Sequence, residues 1–411
     1  MGRQFLETLW PLLCFARLLG MFPFRRVWTD DGKMELNPIN WKFQGTLFAC
    51  LYTLILILKM GSYAWIFIKA EITIEGVTQC QHSLNGGESS TIDYLTTSIP
   101  WFVLYIGVIV IQIGNFKMRQ GLCEISSIVD RASQEDSLVI PFLTVCGLLV
   151  ATIVTSSWFN GSLIQSCLKV NWVDVAPLFV SFGLLFAFVC IPMLVFFTLA
   201  LECFSALSYK STKLKLQIEL HKRLCTAQHS GVPCRAMTQT KQYHNTLQDC
   251  LSMITLLEKV KSQLSRNIRV VMVILSVLNL TWLYMIPLSF IYYSRKKEPL
   301  VLVLAVVASL HVITYFTMIW LLNIRAQKVT DQVHQLKNCL QEIFISQNTM
   351  VTFEDQTVPA SFIKDRIVDK MNRFNGFDGN GYFVLGKSFV LNLKAVLATY
   401  FVILLQFKMS E

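Results

Sequence analysis

From Leu300 to Ile324 the chain runs 25 residues without one Asp, Glu, Lys or Arg. A helix needs roughly 20 apolar residues to cross a hydrocarbon core about 30 Å thick, and in lipid a lone segment satisfies its backbone N–H and C=O groups only as a helix. The run therefore reads as a membrane span. Six more lie at about 45–68, 94–116, 137–159, 175–201, 270–293 and 388–407, which makes seven. The second to the sixth carry no charge, whereas Lys59 and Lys394 fall inside the first and the last. Only 15% of the 411 residues are charged and 54% are hydrophobic, so the net charge of +10 is not that of a nucleic-acid binder.

The basic residues set the orientation. The N-terminal segment and the second, fourth and sixth connections hold 28 Lys and Arg, against 6 on the opposite side. Positive loops stay in the cytoplasm. The expected fold is an all-α membrane protein of seven transmembrane helices, with a cytoplasmic N-terminus, an extracellular C-terminus and cytoplasmic helical extensions. That arrangement is the reverse of a G-protein-coupled receptor. The opening stretch "LWPLLCFARLLGMFPFRR" is broken by Pro11 and Arg17, so it reads as a retained helix and not a cleaved signal. The sequon at Asn160 falls in the second outside loop, and a second match at Asn279 is discarded because it lies inside a span.

The cytoplasmic half carries its own helical pattern. Leu247, Leu251, Ile254, Leu257 and Leu264 form one stripe; Val329, Val333, Leu336, Leu340 and Ile343 form a coiled-coil-like seam. Packing of the two within one subunit is the simpler reading, and packing between subunits the sharper one. A break is expected at "AQHSGVPC" around Gly231 and Pro233. "NGFDGNGYF" fails the calcium-loop template at Gly376 and Lys387 and reads as a turn into the last helix. Twelve cysteines show no CxxC and no Cys/His spacing for zinc, so neither metal nor cofactor is read from them. Cys80 and Cys167 fall in outside loops, where a disulfide between them is open.

The last helix poses its own question. Thr399, Ile403 and Gln406 fall on one stripe, with Tyr400, Leu404 and Phe407 on the next. Thr399 and Tyr400 read as packing glue between helices. Gln406 cannot face lipid without leaving its amide unsatisfied, so Ile403, Gln406 and Phe407 read as a constriction of a pore. In the outer halves of the other spans Trp101, Tyr105, Thr155, Trp158, Trp282, Tyr284 and His311 could wall a ligand pocket. Aromatic residues also gather at membrane interfaces for other reasons, and His311 could simply be bonded within the bundle. No spaced nucleophile, base and acid present themselves, so the chain does not read as an enzyme.

"TYFVILLQF", Thr399 to Phe407, resembles the Thr-Tyr, five apolar, Gln-Phe signature of insect gustatory receptors. "GYFVLGKSFVLNLKAVLA" resembles the lead into that family's last helix, and "LWPLLCFARLLGMFPF" its N-terminal helix. The resemblance implies a tastant-gated, non-selective cation channel in the plasma membrane of sensory neuron dendrites, built as a homo- or hetero-tetramer and needing no G protein. Its domains would be a cytoplasmic segment over 1–44 and a six-helix ligand-binding bundle over 45–324, including the cytoplasmic connection 202–269. Anchor helices over 325–387 and a pore-lining seventh helix with its tail over 388–411 complete it. Sugar receptors of the family tend to carry an acidic residue where this chain has Phe401. That favours a bitter or other plant-derived compound, with a sugar or fructose-type ligand and a non-conducting, modulatory subunit as alternatives.

Overall fold

The computed structural model describes residues 10–22, 24–28, 34–38, 41–69, 106–107, 109–115, 139–168, 172–228, 236–296, 299–348 and 360–410. Eight helices and one hairpin are bounded within them. Helix α1 (Trp10–Leu18) leads into strands β1 (Phe24–Trp28) and β2 (Met34–Pro38), an antiparallel pair in which Arg26 faces Leu36. Long helices follow as α2 (Trp41–Lys69), α3 (Val139–Leu168), α4 (Trp172–Gln228), α5 (Ala236–Lys296) and α6 (Pro299–Asn348). The short α7 (Ala360–Arg373) and the terminal α8 (Lys387–Ser410) complete the order. Six of the seven expected spans fall within α2 to α6 and α8. The second is described only as helical residues 106–107 and 109–115, and the Lys59 side chain is outside the described residues.

Among the described residues three helices are long and apolar enough to cross a membrane, over Phe179–Arg223, His244–Ile291 and Leu302–Glu342. These belong to α4, α5 and α6, which do not stop at a membrane boundary. At 1.5 Å per residue the 57 residues of α4 reach about 85 Å, nearly three bilayer cores. The helix continues because 202–228 contains neither Gly nor Pro, and it ends just before the expected break at Gly231 and Pro233. Inside the apolar part Pro177, Pro192 and Pro287 are tolerated. Beside one of them, the Asn115 amide donates to the Pro192 carbonyl at 3.3 Å.

Helix α6 is the hub: α3, α4, α5, α7 and α8 all pack against it. The expected stripes are consumed within one chain. Leu247, Ile254, Leu257 and Leu264 on α5 are buried, as are Val329, Val333, Leu336 and Leu340 on α6. Along their charged ends α4 and α6 run parallel at a constant offset. Gln332 donates to Thr212, Lys215 to Gln335 and Lys222 to Glu342, each pair 120 positions apart. The stretch 106–115 meets α5 through two glycines seven apart. A Cβ on Gly107 would lie 2.1 Å from Ile274 and one on Gly114 2.0 Å from Asn267, so the close approach requires both.

The N-terminal segment is built into the bundle. Gly20, at φ +74°, ends α1 with the Met21 N–H donating 2.8 Å to the Ala16 carbonyl. Its missing side chain admits α2, since a Cβ there would stand 2.6 Å from the Gln44 carbonyl and 2.7 Å from the Phe48 nitrogen. Gln112 donates to the Gly20 carbonyl at 3.1 Å. Gly20→Ala is expected to cost about 1–2 kcal/mol from the left-handed backbone alone, with a backbone clash added. Thermal unfolding in detergent measures it, and an unchanged midpoint would refute the fit.

Two expectations change. The second outside loop, expected over 160–174, is mostly helix, because the apolar pattern continues past Asn160 and one glycine, Gly161, costs a helix only about 1 kcal/mol. Asn160 and Cys167 therefore sit on the last turns of α3, with their side chains outside the described residues. The hairpin over 24–38 was not expected, since two five-residue strands leave little periodicity to read. "NGFDGNGYF" is a turn as expected. Asp378 bridges Val384, Gly376, Asn380 and Gly381 take positive φ, and Lys261 pairs with Asp378 at 2.8 Å. An ion pair from Lys370 on α7 to Glu258 on α5 adds to this corner.

Candidate functional site

A buried ring cluster surrounds His311, which is fully enclosed on α6. Its Nδ1 lies 2.8 Å from the Val307 carbonyl, an acceptor only, so Nδ1 carries the proton. In the neutral ring Nε2 then accepts from the Ser156 hydroxyl of α3, 3.3 Å away. Trp282 of α5 stacks on the imidazole with centroids 3.8 Å apart and planes 21° off parallel. Phe186 of α4 and Tyr315 present edges at 5.7 Å. One turn below Ser156, the Thr152 hydroxyl meets that of Thr314 at 3.0 Å. Four helices thus meet on one imidazole. The arrangement supplies aromatic faces and hydroxyls and no charge.

Of the residues expected to line a pocket, Trp282 and His311 are brought together. Tyr284 is fully buried on α5. Thr155 points its hydroxyl at the Ala151 and Thr152 carbonyls of its own helix, and Trp158 is 44% exposed. The face of α3 that meets His311 carries Thr152 and Ser156 instead. Trp101, Tyr105 and Cys80 lie outside the described residues. Asn279, read from sequence only as a false sequon, is 2% exposed one turn from Trp282. Its Nδ2 donates to the Leu275 carbonyl at 2.9 Å, while its amide oxygen has no partner among the described residues. An apolar span that keeps a buried amide was the available signal.

The second feature is α8. It touches its own chain, α5 and α6, through Phe389, Val390 and Leu393. Beyond these it stands clear, with Leu391, Val396, Tyr400, Val402 and Ile403 between 39% and 65% exposed. Thr399 donates to the Ala395 carbonyl of its own helix at 2.9 Å, and among the described residues no bond joins Thr399 or Tyr400 to another helix. Gln406 is exposed, and the Phe407 side chain is outside the described residues. Asn392, Thr399 and Gln406 are all exposed and seven apart, so they share a stripe about 140–180° around the helix from half-buried Leu397. The polar stripe faces away from the chain's own bundle. Lys394 sets its ammonium over the Phe316 ring at 5.4 Å.

No protein-family model matches the chain, and no curated protein sequence matches it either. Solved structures do. The insect olfactory receptor OR5 from Machilis hrabei in complex with eugenol aligns over 98% of this chain and 98% of its own, with a TM-score of 0.60 at 13% identity. The structure of the same receptor described without eugenol gives 0.57 at 12% over the same shares. The chain has the fold of an insect olfactory receptor. At this identity the likeness is one of architecture from end to end, and the chemistry of the two sites has to be argued from this chain's own residues.

Proposed function

We propose that the chain is a gustatory-type insect chemoreceptor, a ligand-gated, non-selective cation channel in which four copies of α8 surround one pore. The observation that carries it is the polar stripe of α8. Asn392, Thr399 and Gln406 point away from their own bundle on a largely apolar helix, and lipid would leave the two amides unsatisfied at several kcal/mol each. Water on the axis of a symmetric ring satisfies them. A C-terminal end outside the cell puts Gln406 and Phe407 at the outer mouth, with Ile403 one turn below, and the seven-span, inside-N-terminus topology follows from the charge asymmetry.

The His311 cluster is the ligand end of this reading. Eugenol on the olfactory receptor of the same fold supports a small organic ligand, and the aromatic faces and hydroxyls here suit a plant-derived tastant in the bitter class. A sugar-sensing and a modulatory role are the alternatives. Expression alone in a heterologous cell, with current recording against sugars, alkaloids and glycosides, separates the three. An evoked current carried by both Na⁺ and K⁺ is expected, together with antibody access to a C-terminal tag on intact cells. A tag reached only after permeabilisation would overturn the orientation, and a current seen only on co-expression would favour the modulatory subunit.

A further inference from the structure

Helix starts leave N–H groups with no partner inside the helix. At the start of α8 the Gly386 N–H is answered by a residue 63 positions earlier: the Asn323 Oδ1 of α6 accepts it at 2.9 Å in a buried contact. Asn323 is 1% exposed, and its Nδ2 donates to the Ile319 carbonyl at 2.8 Å, so both ends of the amide are used by backbone. A buried Asn that bonded only its own helix would be a packing residue. Here one end reaches the root of another helix.

The surroundings of this contact are equally close. One turn along α6, Gln327 occupies the space that a Gly386 side chain would need, since a Cβ there would stand 2.2 Å from its Oε1. Gln327 is itself turned by a bond from its Nε2 to Asp331, 2.7 Å long. The root of α8 is therefore bonded to α6 through Asn323 and packed against the end of Gln327, while the helix stands clear beyond it.

We infer that Asn323 is a positioning residue through which α6 sets where α8 starts, and so couples the His311 cluster to the pore. The inference rests on the channel reading above. His311 and Asn323 are 12 residues apart on one uninterrupted helix, about 18 Å along its axis. A tilt or rotation of α6 when a molecule engages the imidazole end arrives at Gly386 through one hydrogen bond and a packed glycine. The exposed remainder of α8 then moves as a rod held at its root.

Asn323→Leu removes the acceptor, whereas Asn323→Asp in its protonated form keeps both an oxygen for the Gly386 N–H and a donor for the Ile319 carbonyl. In purified protein, hydrogen exchange of the amides over 384–390 is expected to accelerate at least tenfold in the leucine variant and to stay near wild type in the aspartate variant. In cells the ratio of ligand-free to maximal current should change at least threefold in the leucine variant, with the aspartate variant near wild type. Gly386→Ala, which leaves both bonding groups in place but crowds Gln327, should change that ratio in the same direction, and it decides the matter if the leucine variant does not fold. Wild-type exchange and wild-type currents in the folded variants would overturn the inference. A wild-type receptor silent to every compound would overturn the channel reading and the coupling together, and the exchange experiment would still report whether Asn323 holds the root.

Discussion

Replacing Gln406 with Lys is expected to cut the ligand-evoked cation current at least tenfold while the receptor still reaches the cell surface. Gln406 is solvent-exposed on the stripe that faces away from its own bundle, so no packing inside the chain depends on its amide. In a four-fold ring each substitution appears four times around one axis. A permeating cation about 5 Å from one ammonium is repelled by about 0.8 kcal/mol even at the dielectric of water, and four of them give about 3 kcal/mol. Salt screening reduces this, and the low dielectric of the surrounding helices raises it. Gln406→Ala adds no charge and should change leak or single-channel conductance instead. The recording that checks this is whole-cell current normalised to surface protein. A lysine variant with unaltered current would place Gln406 away from the conduction path and return α8 to lipid or to a lateral contact.

The second large effect is expected at Trp282. Its ring stacks on the fully buried His311 at 3.8 Å, where α3 and α4 also converge. Trp282 is only partly buried, so truncation to Ala costs somewhat less than the about 3–5 kcal/mol of a fully buried Trp, still a sizeable part of the roughly 5–15 kcal/mol that keeps a typical protein folded. Trp282→Ala should therefore melt well below wild type in detergent and reach the surface poorly. Trp282→Phe keeps a face for the imidazole and should fold. If the cluster also meets ligand, the phenylalanine variant needs about two- to tenfold more tastant for half its maximal current, since a stacked aromatic contact is worth about 0.5–1.5 kcal/mol. An alanine variant that melts with wild type would remove the cluster from the core of the fold.

The apolar runs made most of the helices legible, because lipid leaves a lone chain segment no other regular structure. The charged continuation of α6 was legible as the seam from Val329 to Ile343, whereas that of α4 was less obvious. Their helices are dictated by the absence of breakers, and the partners that order them are 120 positions away. Helix phase was the weak point at the site. In a span apolar on every side, sequence does not say which face turns inward, so Thr155 was singled out where Ser156 bonds His311. Asn279 was read only as a false sequon and Asn392 was not singled out, for a related reason, since an amide is informative only once its face is known. The signature at 399–407 drew attention to α8, but not to the direction its polar side takes. That direction depends on Phe389, Val390 and Leu393 packing at the root, and on Asn323 receiving Gly386 from 63 residues away.

The rungs between α4 and α6 carry a mechanical consequence. Thr212 with Gln332, Lys215 with Gln335 and Lys222 with Glu342 keep one register over ten residues. Sliding one helix past the other by a single turn would mismatch all three at once, whereas a small common twist would leave each within reach. The pair resists shear and permits torsion, so it behaves as a drive shaft. Inserting or deleting one residue between Phe186 and Thr212 in α4 would rotate its charged half by about 100°, spoiling every rung while leaving the contacts at His311 intact.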